Sequence, residues 1–339
     1  MSLDLPLIWA AIIAVAVLLY VLLDGFDLGI GILFPFATRR ERDVMMESIA
    51  PVWDGNETWL VLGGGGLFAA FPLAYAAIMP ALYLPIVLML LALILRGVAF
   101  EFRHHGRVRG KAFWTAAFAG GSLAAALAQG LVLGGFIQGV TLKGGAFAGG
   151  PFDWLTPYSL LVALGVVAGY ALLGAGWLIW RTEGDLQAKA RRWGWIAATA
   201  TAGLLAAVSL ATLVVHPRIA ARWGFADGTF DLPTLLPLLP IPLIGLAGLA
   251  VVAWGLRGRQ ATALLGAYLV FLSGYLGLAA GFFPYIVPYG MDFRAAANAD
   301  NALALMLVGV TILLPAILGY TVWVYWLFRG KVGAHAGYH

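Results

Sequence analysis

Long apolar stretches, broken by short polar connectors, run the length of the chain. Stretches of roughly 18 or more apolar residues are long enough to cross a bilayer as helices. Nine are counted, at approximately residues 6–36, 57–79, 81–102, 113–138, 156–180, 194–216, 234–256, 261–284 and 302–328. The first is longer than a straight crossing needs, so it is expected to tilt or to project beyond the lipid. The connectors reach only about 20 residues, which leaves no room for a soluble domain. The pattern therefore predicts a single integral membrane domain over 1–339. Runs rich in Leu, Ala and Val satisfy their backbone groups as helices rather than as barrel strands, so the expected class is all-α and polytopic. Residues 7–20 lack a basic flank and a cleavage-like site, and read as a retained membrane helix rather than a signal peptide.

Composition agrees with the pattern. Of 339 residues, 62% are hydrophobic and 11% charged, and mean hydropathy is +0.93. A soluble domain carries roughly 25% charged residues, so an ordinary soluble enzyme, a disordered chain and a nucleic-acid binder are all excluded. The net charge of +4 is explained by membrane orientation. Connectors after the odd-numbered spans, with the C-terminal tail, hold Arg39, Arg40, Arg42, Arg103, Arg107, Arg109, Lys111, Arg181, Lys189, Arg191, Arg192, Arg257, Arg259, Arg329 and Lys331. The opposite side holds only Lys143, Arg218, Arg222 and Arg294. Basic residues favour the cytoplasmic side, so the N-terminus is expected outside and the C-terminus in the cytoplasm. The four glycines Gly63–Gly66 read as a site of close helix–helix approach.

Charged groups inside spans are costly and mark function by default. Asp24 and Asp27 sit three apart on one face of the first span. Asp54 and Glu57 repeat that spacing at the start of the second, and Arg96 lies in the third with Glu101 beside its exit. Five acids and one arginine thus fall at similar depth toward the cytoplasm. A carboxyl group in low dielectric holds its proton more tightly than in water. The cluster therefore suggests a proton-uptake path through Asp54, Glu57, Asp24, Asp27 and Glu101, with Arg96 as charge partner. The structural alternative is that Arg96 neutralises Asp24 or Asp54 while the other acids reach interfacial water.

Ligands for metals or haem are scarce. There is no cysteine, and the five histidines, His104, His105, His216, His335 and His339, all lie in connectors, in the tail or at a span end. Met79, Met89 and Met306 lie in spans but are ordinary packing residues there. No haem or metal is expected on this chain. Asp292, Arg294 and Asp300 form a polar stretch before the last span that reads as a surface ion pair or an interchain contact rather than as a site of chemistry.

Four segments together resemble subunit II of the cytochrome bd-type quinol oxidases. They are Asp24-Gly25-Phe26-Asp27-Leu28-Gly29-Ile30-Gly31, Ala50-Pro51-Val52-Trp53-Asp54-Gly55-Asn56-Glu57-Thr58-Trp59-Leu60, Leu67-Phe68-Ala69-Ala70-Phe71-Pro72 and Arg96-Gly97-Val98-Ala99-Phe100-Glu101-Phe102-Arg103. The first hundred residues carry most of the likeness, and its nearest look is to the cyanide-insensitive branch. Residues 144–231 are poor in distinctive motif. The resemblance implies two four-helix bundles plus one further helix, over about 6–138, 156–284 and 302–328. It also implies an obligate subunit I that holds the haems, b-type and in some members d, oxidises quinol and reduces dioxygen to water. Such complexes generate a membrane potential without pumping. The resemblance assigns Asp54 to a cytoplasmic proton channel along the subunit contact, with Trp53 and Asn56 as its motif neighbours. Some members hold a structural quinone. Whether single-helix accessory subunits bind is left open.

Two other functions compete with this one. A secondary transporter also buries charge, but typically in two related halves with broken helices, whereas here the charge crowds into the first three spans. A purely structural subunit would use Asp54 only as a scaffold ion.

Overall fold

The computed structural model describes residues 3–105, 108–226, 228–258 and 261–332; for residues 104, 105, 108 and 109 only the backbone is described. Arg107, Arg259, His335 and His339 lie outside the described residues, as do the side chains of His104, His105 and Arg109.

Helix α1 (Leu5–Leu33) starts where Asp4 caps the amide of Leu7 and ends in a short 3₁₀ turn at Phe34–Phe36, which contains Pro35. A polar helix α2 (Arg39–Ile49) follows, opened by a reciprocal capping pair of Thr38 and Glu41. Then come α3 (Trp53–Ala70), α4 (Pro72–Ala81), α5 (Tyr83–His105) and α6 (Val108–Gln138). The second half holds α7 (Pro157–Arg181), α8 (Gly184–Val215), the short α9 (Pro217–Arg222) and α10 (Leu232–Leu235), then α11 (Pro240–Leu256) and α12 (Thr262–Phe282). A single turn, α13 (Phe293–Ala296), precedes α14 (Asp300–Leu327). Three small antiparallel strand pairs lie in the connectors: Leu142–Lys143 with Ala146–Phe147, Phe225–Ala226 with Thr229–Phe230, and Tyr285–Val287 with Met291–Asp292.

Among the described residues, seven helices are long and apolar enough to cross a membrane. An eighth crossing is made if the pair Leu232–Leu238 and Pro240–Leu256, bent by 51°, is taken as one span. Pro233, Pro237, Pro240 and Pro242 explain that bend, since each lacks the N–H that would continue the helix ladder. The stretch expected as one helix over 57–79 is instead divided. Pro72 cannot donate to the preceding turn, and the chain breaks at Phe71 (φ −132°, ψ 63°). Asn298 covers the break: its backbone N–H reaches Ala70 O at 2.8 Å and its side chain reaches Ala69 O at 3.0 Å.

α1 and α7 form the centre. Residues 24–31 of α1 and 169–179 of α7 are buried without interruption, so these segments are enclosed on all sides. α3 and α6 pack on α1, and α5 packs on α6. α7 is flanked by α6, α8 and α12, with α11 across α12 and α8. The axes meet where neither helix carries a side chain. A Cβ on Gly29 would lie 1.8 Å from Tyr170 O, and one on Gly174 would lie 2.5 Å from the Gly29 carbonyl carbon. Such close approach is how helices bind each other when lipid provides no hydrophobic drive. Phe26 then stacks on Trp177 at 4.0 Å. Of the glycine run, Gly63 and Gly66 face Val17 and Ile13 of α1, while Gly64 and Gly65 face open space. Close approach thus applies to half the run.

The basic connectors gather at the end opposite the hairpins and tie it together. Lys189 pairs with Glu41 at 2.8 Å, and Arg103 with Asp43 at 2.7 Å. Lys331 and Arg191 cap the C-termini of α7 and α11 by donating to Ile179 O and Thr182 O, and to Gly255 O and Leu256 O. At the hairpin end Arg294 of α13 pairs with Asp4 at 2.6 Å, which joins the start of α1 to the turn before α14.

Gly29→Ala is expected to lower the melting temperature of the detergent-extracted protein sharply or to abolish accumulation. Gly64→Ala, which meets nothing within 4 Å, should leave both unchanged. Glu41 is partly buried, which by itself would raise its pKa, but the Lys189 and Thr38 hydrogen bonds hold it below the ordinary 4.5. A depressed carboxylate contributes its stability above the unfolded value and loses it as pH falls through the folded one. Protease sensitivity of α2 should therefore rise as pH drops below about 4.5, and Glu41→Gln should remove that step.

Candidate functional site

Three helices bring charged side chains into the interior: α1 carries Asp24 and Asp27, α3 packs on α1 and carries Glu57, and α5 reaches α1 through Arg96. Arg96, 1% exposed, points from α5 toward α1 and donates from Nη1 to Asp24 Oδ1 at 2.6 Å. Asp24 and Asp27 are both fully buried. Glu57, on α3, is half-buried, and its Oε1 lies 3.5 Å from Arg96 Nη2. The ring of Trp53 sits 6.0 Å from the guanidinium and supplies a π face on a further side.

Asp27 lies one turn further along and has a different partner. Asn56 Nδ2 donates to Asp27 Oδ2 at 2.7 Å and to Leu23 O at 3.2 Å. Asn56 Oδ1 in turn accepts from the Tyr325 hydroxyl of α14 at 2.8 Å. A third polar thread runs into α6 and α7. Gln129 Nε2 donates to the Tyr20 hydroxyl at 2.7 Å, and the Tyr170 hydroxyl donates to Gln129 Oε1 at 2.6 Å. Tyr20 is one helical turn before Asp24 and shares its face.

The buried set is thus Asp24, Asp27 and Glu57 around Arg96. Asp54 and Glu101, expected alongside them, are exposed: Asp54 on the outer face of α3 with Thr58 and Val61, and Glu101 on α5. The i, i+3 spacing explains part of this. Asp54 and Glu57 sit near opposite edges of one helical face, and only Glu57 reaches inward. Asp24 Oδ2, Asp27 Oδ1, Glu57 Oε1 and Arg96 Nη2 are buried without a hydrogen bond inside the chain. One guanidinium faces three carboxyl groups, so a proton can enter or leave while the set stays within one charge of neutral. Removing the cation would leave an uncompensated buried charge, which costs about 3–5 kcal/mol.

The sequence reading missed Tyr20, Gln129, Tyr170 and Tyr325. Gln129 could have been flagged as an isolated amide in an Ala-rich span. Tyr325 carried no signal, since nothing in the pattern places the last helix beside the first.

His216 is the one histidine whose side chain is described: its Nε2 lies 3.0 Å from Gln138 O, its ring stacks on Tyr289 at 3.8 Å, and its Nδ1 is buried without a hydrogen bond inside the chain. Among the described residues no group of three His, Cys, Asp or Glu could hold a metal ion.

Comparison with known proteins gives a consistent result. The chain is 29% identical to "Cytochrome bd-I ubiquinol oxidase subunit 2" of Escherichia coli (strain K12), over 97% of this chain and 95% of that one. It is 29% identical to "Cytochrome bd ubiquinol oxidase subunit 2" of Bacillus subtilis (strain 168), over 96% of each. Its fold matches a chain of the bd oxidase from Geobacillus thermodenitrificans with a TM-score of 0.78 at 16% identity, covering 97% of this chain and 100% of that one. Residues 5–328 match the family described as cytochrome bd terminal oxidase subunit II, and the chain belongs to that family.

Proposed function

We propose that this chain is the haem-free subunit II of a quinol:dioxygen oxidoreductase in the bacterial inner membrane, and that it helps carry protons from the cytoplasm to the site of oxygen reduction. It pairs with a haem-bearing subunit I, which supplies the electron transfer from quinol to dioxygen. Both curated relatives above are named as subunit 2 of a ubiquinol oxidase. With basic connectors inward, the N-terminus faces outside, and α3 with α4 supplies a ninth crossing.

The observation that carries the reading is the buried set of Asp24, Asp27, Glu57 and Arg96, one helical turn from Asp54 at the surface of α3. Reduction of dioxygen to water consumes one proton per electron, and hydrocarbon blocks protons unless polar groups relay them. Asp54 sits where a subunit packed on α3 would border it. It takes a proton from the cytoplasmic edge, and Glu57, three residues on, links that edge to the interior. Arg96 offsets the carboxylate charge so that the relay stays inside the protein without a large desolvation penalty. Asp24 Oδ2, Asp27 Oδ1 and Glu57 Oε1, none of which accepts a hydrogen bond inside the chain, are the atoms at which a proton or a relaying water is exchanged.

Asp54→Asn should cut quinol oxidase turnover of the assembled complex by roughly tenfold or more, the low end of what a positioned proton carrier contributes being larger still. Its visible haem spectrum should persist. Normal turnover would remove Asp54 from the path, and loss of assembly would favour a scaffold role. Arg96→Leu should prevent accumulation of the complex in membranes. Adding Asp24→Leu should restore accumulation in part, because the lone buried carboxylate is gone, but not turnover.

A further inference from the structure

The amide of Asn56 can be oriented from its partners. Leu23 O can only accept a hydrogen bond, so the group 3.2 Å from it must be Nδ2. The same nitrogen then meets Asp27 Oδ2 at 2.7 Å, and Oδ1 is left facing the Tyr325 hydroxyl at 2.8 Å, which must donate. All three bonds agree with one amide orientation. In the reversed orientation Oδ1 would lie against two acceptors. Tyr325 thus locks the side chain that holds Asp27. The lock spans three helices: α14 provides the hydroxyl, α3 the amide and α1 the carboxyl group.

Asp27 has no bond to Arg96, whose close partner is Asp24. Its other oxygen, Oδ1, is buried and unpartnered. Asn56 is thus its one hydrogen-bond donor among the described residues. The titratable and charged groups around it are Asp24 on α1, Glu57 on α3, Arg96 on α5, Tyr268 on α12 and Tyr325 on α14; Tyr170 of α7 stands nearer Asp24.

We propose that Tyr325 is a positioning residue for proton uptake: through Asn56 it fixes the Asp27 carboxyl group, so that the last helix governs the acid that Arg96 does not pair. The proposal rests on the proton-uptake reading above. Tyr325 touches neither substrate nor redox group and acts only through its neighbour.

Tyr325→Phe tests it in the assembled complex, because the ring that packs edge-on to Phe26 and Trp177 is kept and only the hydroxyl is lost. Turnover should fall roughly fivefold, the scale of one side-chain hydrogen bond. The KM for quinol should not change, and the pH dependence of turnover should be displaced. In an Asp27→Asn background the same substitution should have no further effect. Unchanged turnover and pH profile would overturn the proposal, as would an additive loss in the double variant. Failure of Tyr325→Phe to assemble would also overturn it, by assigning the hydroxyl a structural role. If Asp54→Asn impairs turnover while Tyr325→Phe does not, only the positioning role is lost. If neither impairs it, the proton-uptake reading is lost as well.

Discussion

A guanidinium fixed against a carboxylate inside a membrane-embedded bundle sets the terms for the rest of this protein. Taking two ions out of water costs several kcal/mol each unless they meet in good geometry. Arg96 and Asp24, 2.6 Å apart, meet that condition only if α5 and α1 are held in one register. α6 helps provide this from between them: Gly121 of α6 lies against the backbone of Ala92 and Arg96 on α5, and Ser122 lies against Gly31 of α1. Packing and charge therefore specify the same arrangement. The helices cannot separate without stranding an ion, and the ion pair cannot form unless the helices touch.

The cluster has two carboxyl groups more than its one cation can neutralise, and they differ in surroundings. Glu57 keeps partial access to the surface. Asp27 is sealed and depends on an amide. A graded series of this kind, from exposed Asp54 through half-buried Glu57 to enclosed Asp24 and Asp27, runs from the edge of the bundle to its centre. Aromatic rings line the walls, with Trp53 beside Arg96 and the Phe26–Trp177 stack beyond Asp27.

Much of this was legible in the sequence, for a simple reason. In an apolar chain a charge stands out, and Asp24, Asp27, Glu57 and Arg96 were found by being anomalous. The same method could not say which way a residue points, so Asp54 and Glu101 were grouped with them although their helical positions turn them outward. Hydropathy also treats proline as a minor change. It therefore ran a single helix through Phe71-Pro72, and a straight one from 234 through Pro237, Pro240 and Pro242, where the hydrogen-bond ladder breaks. The polar helix α2 and the small hairpins went unnoticed, because neither crosses lipid and neither carries a long periodic pattern. Tyr325 was invisible for a deeper reason: its partner is 269 positions away in the chain.

That last separation bears on how the protein is made. Spans enter the membrane in the order of their synthesis, at about 5–20 residues per second. The carboxyl groups of α1, the amide of α3 and the guanidinium of α5 are all present once the first third of the chain has emerged. Tyr325 arrives only with the final helix, which also receives the indole N–H of Trp9 on its Leu303 carbonyl at 3.0 Å. Until then the amide oxygen of Asn56 lacks the donor it has in the finished fold, and the interior is completed by the last helix. A chain truncated before α14 would keep the Arg96–Asp24 pair and the Asn56–Asp27 bond but lack the hydroxyl that orients the Asn56 amide.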